Sequence, residues 1–335
     1  MSARSTINHV PGMEDTRSTG ETEARPPVVE NYELSISTII PTVGRSSLSK
    51  AIKSTLEQDA PDVFSEVVVV NDSGKPLESL PDKYSGRLRV VSTGGARTGQ
   101  TAARNLGAQH ARGDFLHFLD DDDWMHSGAF EAFRATHHNC PEAKWLYGTI
   151  RRVTREREPY DILPTDIEGN VLAETISGEW MPLQGTLIHR DLFNEVGGFD
   201  PSFVVSEDID LLFRLGLTED LVRVPHVVCT YSLGNDHSAT QRELGDVYRA
   251  KAYEKLFDLP GSTGRAIGSA QTPYLSGQVA RQYLISLRRN VRQGQTIKAI
   301  QRLASATRMV AGVHVFDGLF WRALVSKKAG MKLHT

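Results

Sequence analysis

Residues 113–124 read Gly-Asp-Phe-Leu-His-Phe-Leu-Asp-Asp-Asp-Asp-Trp, and this stretch decides the fold class. Phe115 to Leu119 is short, mostly apolar and rich in aromatic residues, which predicts a buried β-strand. Four consecutive aspartates, Asp120 to Asp123, follow the strand directly. Because ligands bind at the carboxyl edge of the strands in open α/β sheets, we expect the acidic run at a binding edge.

Four adjacent carboxylates repel one another unless positive charge lies among them. A hard divalent cation with oxygen ligands is the natural partner, and such a cation also bridges to phosphate oxygens. The alternative is a solvated acidic turn without a ligand. The position of the run, between a buried strand and Trp124, favours metal–phosphate chemistry.

The composition limits the classes of protein to which this chain can belong. The 335 residues carry a net charge of −3, which argues against nucleic acid as the main partner. Only Cys140 and Cys229 occur, as is typical of a reducing cytoplasm. Residues 1–32 lack the apolar core of a signal peptide and are predicted to form a disordered leader. No apolar run is long enough to predict a spanning helix.

Buried strands alternate with helices along the first part of the chain. The predicted elements are strands at Ser35–Ile40, Glu66–Val70 and Leu88–Val91, a helix capped by Ser46 or Ser47, and a helix at Thr98–Ala111 with Ala102, Ala103 and Leu106 facing inward. This alternation predicts a mostly parallel sheet covered by helices on both faces. Later strands are predicted at Trp145–Val153, Gly185–His189 and Val222–Tyr231, a charged loop at Arg155–Thr165, and a mainly helical region from Ala239.

Two short motifs follow the first two strands. Pro41-Thr42-Val43-Gly44-Arg45 ends strand one, and Asn71-Asp72-Ser73-Gly74 ends strand two. Both are expected at the same edge as the aspartates. At that edge, the carboxylate of Asp72 can accept a hydrogen bond from an N–H group of a nucleotide base. Backbone groups around Thr42 can contact the other edge of the same base. Each motif alone also fits an ordinary turn.

Two further motifs lie on predicted helices. Arg104 precedes Asn105 on the helix that leads into the acidic strand, where it can pair with the acidic loop or a phosphate. Gly107 allows that helix to approach the sheet closely. Glu207, Asp208 and Asp210 open a later helix. The helix dipole favours acids at this position, and a general base needs the same carboxylate chemistry, so both interpretations stay open.

Together these motifs resemble the inverting family 2 glycosyltransferases of the GT-A fold. The resemblance runs from about Leu34 to Tyr231 and includes six elements in the family's order. It implies an α/β, Rossmann-like GT-A domain at 33–238, with a mixed, mostly parallel sheet flanked by helices. Residues 239–335 then form a helical C-terminal extension.

The resemblance also implies roles for individual residues. Thr42 and Asp72 correspond to base-binding positions. Asp120 corresponds to the first acid of an Asp-x-Asp pair, which contacts ribose or metal, and Asp122 to the second, which ligates Mg²⁺ or Mn²⁺ on the diphosphate. Asp208 corresponds to the catalytic base. The predicted donor-binding set is Pro41, Thr42, Arg45, Asp72, Arg104, Asp120, Asp121 and Gln184.

Other candidates come from residue chemistry. Trp124 and Trp180 can stack on sugar rings, although core packing is the commoner role of a tryptophan. Glu207 is a further acceptor-binding candidate. His237 follows the last predicted strand and can ligate a divalent metal, although a lone histidine is more often not a ligand.

The predicted function is transfer of a sugar from a nucleoside diphosphate donor, UDP-sugar first, to a hydroxyl of a glycan, a lipid-linked acceptor or a small molecule. A sugar-phosphate nucleotidyltransferase would need a glycine-rich basic loop after strand one, and an NAD-type oxidoreductase would need Gly-x-Gly-x-x-Gly there. Neither pattern is present. A non-catalytic nucleotide-sugar-binding protein and a sugar-phosphate nucleotidyltransferase stay as the alternatives, and turnover of a nucleotide sugar distinguishes the first of them.

The end of the chain is apolar but interrupted. His314, Asp317 and Arg322 lie within the apolar segment Met309–Val325, so it cannot comfortably span a bilayer. An amphipathic helix there either lies in a membrane interface or packs on the catalytic domain or a second subunit. We favour packing, and we expect a cytoplasmic protein with, at most, peripheral contact at the inner membrane face.

Overall fold

The computed structural model describes residues 32–77, 80, 82–154, 158–162, 166–178, 181–233, 239–270, 272–311 and 318–325. The predicted leader, apart from Tyr32, lies outside the described residues. Trp180 and His237 also lie outside them, so the roles predicted for these two residues remain predictions.

The first half of the sheet is parallel. Strands β1 (Leu34–Thr42), β2 (Val63–Asn71), β3 (Leu88–Ser92) and β4 (Phe115–Phe118) lie in the order β3-β2-β1-β4. Ile36, Ile39 and Val67 to Val70 are buried completely. Each such side chain contributes about 1.5–3 kcal/mol when it leaves water. The predicted strands are confirmed, and the carboxyl ends of β1, β2 and β4 meet at one edge.

Three helices accompany this half. They are α1 (Leu48–Leu56), α2 (Gln100–His110) and α3 (Ala129–Asn139). Two details of the predictions were wrong: Ser47 precedes α1 without a side-chain capping bond, and Ala102 of α2 is exposed. The role of Gly107 is confirmed, because a Cβ there would lie 2.3 Å from Ile39 Cγ2. Glycine thus lets α2 lie directly on the sheet.

The second half of the sheet is mixed. Strands β5 (Trp124–Met125), β6 (Trp145–Val153), β7 (Pro159–Ile162), β8 (Thr186–His189) and β9 (Val222–Ser232) continue it in the order β4-β8-β6-β9-β5, with β7 beside β6. Strand β8 runs antiparallel to β4 and β6, whereas β6 and β9 are parallel. The α/β class and the mixed sheet are confirmed. The loop predicted at Arg155–Thr165 was wrong where it contains β7.

Helices in the second half connect these strands. They are α4 (Leu172–Ser177), α5 (Arg190–Glu195) and α6 (Glu207–Thr218). Short 3₁₀ turns lie at Asp82–Tyr84 and Leu183–Gly185. The turn at Leu183–Gly185 and the start of α6 bring side chains to the same sheet edge as the acidic loop.

The described C-terminal residues are helical. They form α7 (Ala239–Asp258), α8 (Ser262–Ser269), α9 (Pro273–Arg292), α10 (Thr296–Ala311) and α11 (Gly318–Val325). These helices build a second apolar core with α4 and α6, which includes Leu172, Phe213, Tyr283 and Phe320. Phe320 is fully buried, so α11 packs on its neighbours. No helix within the described ranges is long and apolar enough to cross a bilayer.

Candidate active site

A cavity of about 260 Å³ lies at the carboxyl edge of β1, β2 and β4. The loops after these strands and the start of α2 supply most of its wall, as expected for a parallel sheet. Its lining residues are Pro41, Thr42, Val43, Arg45, Asp72, Gln100, Ala103, Asp120, Asp121, Asp122, Tyr231 and Ser232. Most of the predicted donor-binding residues therefore meet in this first cavity.

The four aspartates alternate between two environments. The side chains of Asp120 and Asp122 are 24% and 41% exposed, whereas that of Asp121 is 3% exposed. Asp121 accepts hydrogen bonds from Thr42 Oγ1 at 2.5 Å and from Arg45 Nη1 at 2.7 Å. Asp121 thus ties the loop after β1 to the acidic loop, and Asp120 and Asp122 present the more accessible carboxylates.

Asp123 is the buried end of the acidic run. Its Oδ1 accepts a hydrogen bond from the Ser232 backbone N–H at 2.8 Å. Its Oδ2 has no hydrogen-bond partner among the described residues. Burial, with the nearby Asp120 charge, raises the pKa of Asp123 well above its ordinary value. The raised pKa favours the protonated form of Asp123, whose hydrogen bond with Ser232 anchors the end of β9.

Asp72 orders the loop that leads into α2. Its carboxylate accepts hydrogen bonds from Thr93 Oγ1, from the hydroxyl and amide of Thr98, and from the Gly99 amide. Burial raises the pKa of Asp72, but these hydrogen bonds outweigh it and lower the pKa below the ordinary value. Asp72 is therefore an anion that holds the start of α2 at the wall of the first cavity.

A second cavity of about 240 Å³ adjoins the first. Gln100, Asp120 and Tyr231 line both cavities. The remaining lining residues of the second cavity are Arg104, Leu183, Gln184, Val205, Ser206, Glu207 and Asp208. A ligand in the first cavity thus has the carboxylates that open α6 as near neighbours.

Arg104 joins the two sides of the second cavity. Its side chain is 5% exposed, and its two terminal nitrogens donate to Glu207 Oε1 at 2.5 Å and to Asp120 Oδ1 at 2.7 Å. Burial lowers the pKa of Arg104, and the two carboxylates more than reverse that shift. The arginine thus couples the acidic loop to α6, as its predicted pairing with the loop implied.

Of the three acids that open α6, only Asp208 lacks an ion pair with the described residues. Glu207 pairs with Arg104, and Asp210 pairs with Arg214 and Lys255. Burial raises the pKa of Asp208, although Arg104 opposes the shift. A carboxylate with a raised pKa at a cavity wall has the property that a general base requires.

The backbone before Asp208 is strained. Ser206 has φ +59°, the left-handed region that L-residues other than glycine rarely adopt. Such strain clusters at functional sites, where the surrounding structure holds it in place. Here it begins α6 so that Asp208 lines the second cavity.

Asp120 is held from a second direction by Gln184. Gln184 Nε2 donates to Asp120 Oδ2 at 2.8 Å, and its backbone oxygen lies 2.9 Å from His117 Nε2. Burial lowers the pKa of His117 to about 4, so its neutral ring donates to Gln184 through Nε2 and accepts from Thr38 through Nδ1. Gln184, predicted to contact donor, lies in the second cavity rather than the first.

The other predicted residues lie as follows. Trp124 belongs to β5 and lines neither cavity, and Lys50 Nζ lies 2.8 Å from the centre of its ring. Glu207 lines the second cavity with its Oε1 held by Arg104. Gln100 and Tyr231 line both cavities but were not predicted as site residues. Tyr231 ends the last predicted strand, and that position at the sheet edge was the available signal.

The fold and the two adjoining cavities define a GT-A-type catalytic domain. Comparison with known proteins shows which family the chain resembles. Residues 37–161 match the model of Glycosyl transferase family 2. An uncharacterized glycosyltransferase of Haemophilus influenzae is 28% identical over 229 residues, which cover 62% of this chain and 74% of the relative.

A second relative and a solved structure are also similar to this chain. A GalNAc(5)-diNAcBac-PP-undecaprenol beta-1,3-glucosyltransferase of Campylobacter jejuni is 35% identical over 99 residues, or 28% of this chain and 31% of the relative. The crystal structure of S. aureus TarS 1-349 in complex with UDP-GlcNAc superposes with a TM-score of 0.53 at 15% identity, over 80% of this chain and 89% of TarS 1-349. The family 2 match over residues 37–161 and these similarities support a family 2 glycosyltransferase with the GT-A fold, an enzyme that transfers a sugar from a nucleotide sugar.

Proposed function

We propose that this glycosyltransferase moves a sugar from a UDP-sugar to an acceptor hydroxyl with inversion at the anomeric carbon. The observation that carries the proposal is the shared wall of the two cavities. Asp120, Gln100 and Tyr231 separate the loops suited to a nucleoside diphosphate from the carboxylate of Asp208, which has no ion pair with a described residue. Donor and base then lie on opposite sides of one reacting centre.

The first cavity suits the nucleoside diphosphate. Thr42 and Asp72 lie at the ends of β1 and β2, where the base of the nucleotide would bind. Arg45 is 53% exposed and holds its positive charge between Asp121 and Asp122. UDP is the first nucleotide to test because the TarS structure of the same fold contains UDP-GlcNAc.

A divalent cation fits the exposed acids as a partner of the diphosphate. No group of three potential ligand side chains that could hold a metal is found among the described residues. Mg²⁺ commonly uses one or two carboxylates together with substrate phosphates and water. Asp122, with Asp120, supplies the hard oxygen donors for that mode. The cation would stabilise negative charge on the departing diphosphate.

Burial raises the pKa of Asp122, Arg45 opposes the shift, and Asp120 and Asp121 add to it. This mutual repulsion among the acids is what a bound cation relieves. The chemistry of the donor set therefore supports Mg²⁺ or Mn²⁺ without requiring a complete protein cage.

Asp208 acts as the base. Its carboxylate takes the proton of the acceptor hydroxyl as that oxygen attacks the anomeric carbon from the face opposite the diphosphate. The new C–O bond forms as the bond to the diphosphate oxygen breaks, and the nucleoside diphosphate leaves with the electron pair. One displacement inverts the configuration, and no covalent enzyme intermediate forms.

A donor panel tests this function without knowledge of the acceptor. Slow hydrolysis of UDP-, GDP- and dTDP-sugars is measured with Mg²⁺, with Mn²⁺ and with EDTA, and NMR gives the anomer first released. We expect UDP-sugar hydrolysis, dependence on the cation, and the inverted anomer. Hydrolysis that EDTA leaves unchanged contradicts the metal assignment, and release of the retained anomer contradicts the single displacement.

The variant Asp122→Ala tests whether Asp122 is a ligand of the metal. Calorimetric titration with UDP should show that the variant loses the difference in affinity between Mg²⁺ and EDTA that the parent protein shows. Asp59→Ala is the matched control, because Asp59 is an exposed aspartate that lines neither cavity. Equal cation dependence in Asp122→Ala and the control would remove Asp122 from the metal site.

A further inference from the structure

The adjacent helices α9 and α10 carry exposed apolar and exposed basic side chains. Ile297, Ile300 and Leu303 of α10 are 75%, 63% and 50% exposed. They follow one another at intervals of three residues, so they lie along one side of the helix. Arg308 of α10 and Arg288 and Arg292 of α9 are also exposed. We refer to these six residues as the α9–α10 face.

The charge of the chain is distributed unevenly along the sequence. Residues 259–335 contain twelve lysines and arginines and a single acidic residue, Asp317. The whole chain nevertheless carries a net charge of −3, so residues 1–258 are strongly acidic. Such asymmetry is a sign of a surface that meets a negatively charged partner.

Part of this positive charge is used inside the protein. Arg289 pairs with Glu254 at 2.9 Å, and Lys298 pairs with Asp258 at 2.5 Å. Arg288, Arg292 and Arg308, by contrast, make no ion pair within the described part of the chain. Their charges, unlike those of Arg289 and Lys298, remain available to a partner.

We propose that the α9–α10 face binds the surface of a bilayer that contains anionic lipids. Exposed aliphatic side chains enter the boundary between headgroups and acyl chains, while flanking arginines contact the anionic headgroups. The face combines both features on adjacent helices of the folded protein. Binding would be peripheral and reversible.

A second copy of the chain fits this face less well. In a twofold contact each subunit uses the same patch, so the arginines of one copy would approach those of the other. Apposed like charges oppose such a contact. An anionic lipid surface instead complements the charge and accepts the aliphatic side chains.

Co-sedimentation of the full chain with vesicles tests the proposal without donor or acceptor, so its outcome is independent of catalysis. One set of vesicles contains equal parts of phosphatidylglycerol and phosphatidylcholine, and the other contains phosphatidylcholine alone. We expect binding to the anionic set, weakening as salt rises. Equal binding to both sets, or to neither, overturns the proposal.

The variant Arg288→Gln/Arg292→Gln/Arg308→Gln should weaken partitioning by about fivefold per arginine. Lys53→Gln/Lys83→Gln/Lys144→Gln is the matched control, since it removes the same charge from the catalytic domain and should bind like the parent. Ile297→Ser/Ile300→Ser/Leu303→Ser should also lose binding, with an unchanged circular dichroism spectrum because these side chains are exposed.

Two results would contradict the proposal by showing that another segment binds lipid or that the α9–α10 face binds a second copy of the chain. If the arginine variant binds normally but deletion of residues 326–335 abolishes binding, the basic end of the chain is the lipid contact and the proposal is wrong. If light scattering shows a dimer that Ile300→Ser dissociates while vesicles do not bind, the face belongs to a second copy. Either result overturns the assignment.

Discussion

The two cavities differ in how the chain builds them. Residues at the end of strand β1 or directly after strands β1, β2 and β4 supply most of the first cavity. The second cavity combines α2, the turn before β8 and the start of α6. Its connections are side-chain contacts between distant parts of the chain, such as Arg104 with Glu207, 103 residues apart.

This difference separates the cavity proposed to bind the donor from the cavity proposed to hold the catalytic base. Parallel strands place their following loops at one edge whatever the rest of the fold does, so the first cavity needs little beyond the parallel half-sheet. The second cavity exists only when α2 and α6 approach each other and Arg104 lies between Asp120 and Glu207. Changes in the second cavity are therefore expected to affect transfer and stability more than changes in the first.

The largest effect is expected at Asp208. Asp208→Asn keeps the shape and the hydrogen-bonding capacity of the side chain but removes its basicity, so transfer should fall by a factor on the order of 10² to 10⁴. Affinity for UDP, measured by calorimetry, should stay within the range of the Asp59→Asn control. Nearly intact transfer would leave Asp208 as an acid that only favours the helix start.

Arg104→Met tests the connection between the cavities. Loss of the arginine leaves Glu207 and Asp120 without their cation, which should lower the free energy of unfolding by about 3–5 kcal/mol. Urea denaturation measures it. Lys83→Met, which breaks the solvent-exposed pair with Glu57, should lower the free energy of unfolding far less, because water screens that pair.

The double variant Arg104→Met/Glu207→Gln separates charge from packing. It should regain much of the stability that Arg104→Met loses, because one unpaired buried carboxylate is gone. A double variant as unstable as Arg104→Met alone would show that the arginine acts through packing, and the ionic connection would be refuted.

His117, which bonds to the backbone of Gln184 behind the second cavity, makes the stability of the protein depend on pH. Its pKa is about 4 in the folded protein and 6.5 in the unfolded chain, so the unfolded state binds more protons between these values. Stability from His117 is present above pH 6.5 and is lost as the pH falls towards 4, by about 3 kcal/mol in all.

Urea denaturation of the parent protein and His117→Gln across this pH range isolates the contribution. The variant should lose stability less steeply than the parent as the medium becomes acidic. Parallel slopes for the two proteins would mean that His117 is not held neutral beside Gln184.

The smallest effect is expected in the first cavity. Thr42→Val removes the hydroxyl that donates to the buried Asp121, which should cost about 1–3 kcal/mol of folding free energy. Thr42→Ser, which keeps the hydroxyl, should cost less. If Thr42→Val has the same folding free energy as Thr42→Ser, the hydrogen bond from Thr42 does not hold the two loops together.

Local patterns were sufficient for most of the fold. The strands ending at Thr42, Asn71 and Phe118 were predicted because continuous apolar runs bounded by turn residues occur in buried parallel strands. Strand β7 was missed because its polar sequence, Pro-Tyr-Asp-Ile, is a strand only through its pairing with β6. Helix α4 was missed because six residues are too few to establish a helical period.

Which residues gather at the sheet edge follows from their order along the chain, since residues that follow parallel strands meet there. How the acids divide depends on packing. Asp121 is buried against Thr42 and Arg45, Glu207 is paired with Arg104, and Asp208 lies at the cavity wall without an ion pair among the described residues. Burial and ion pairing between distant positions depend on packing in three dimensions, and no local spacing of residues encodes them.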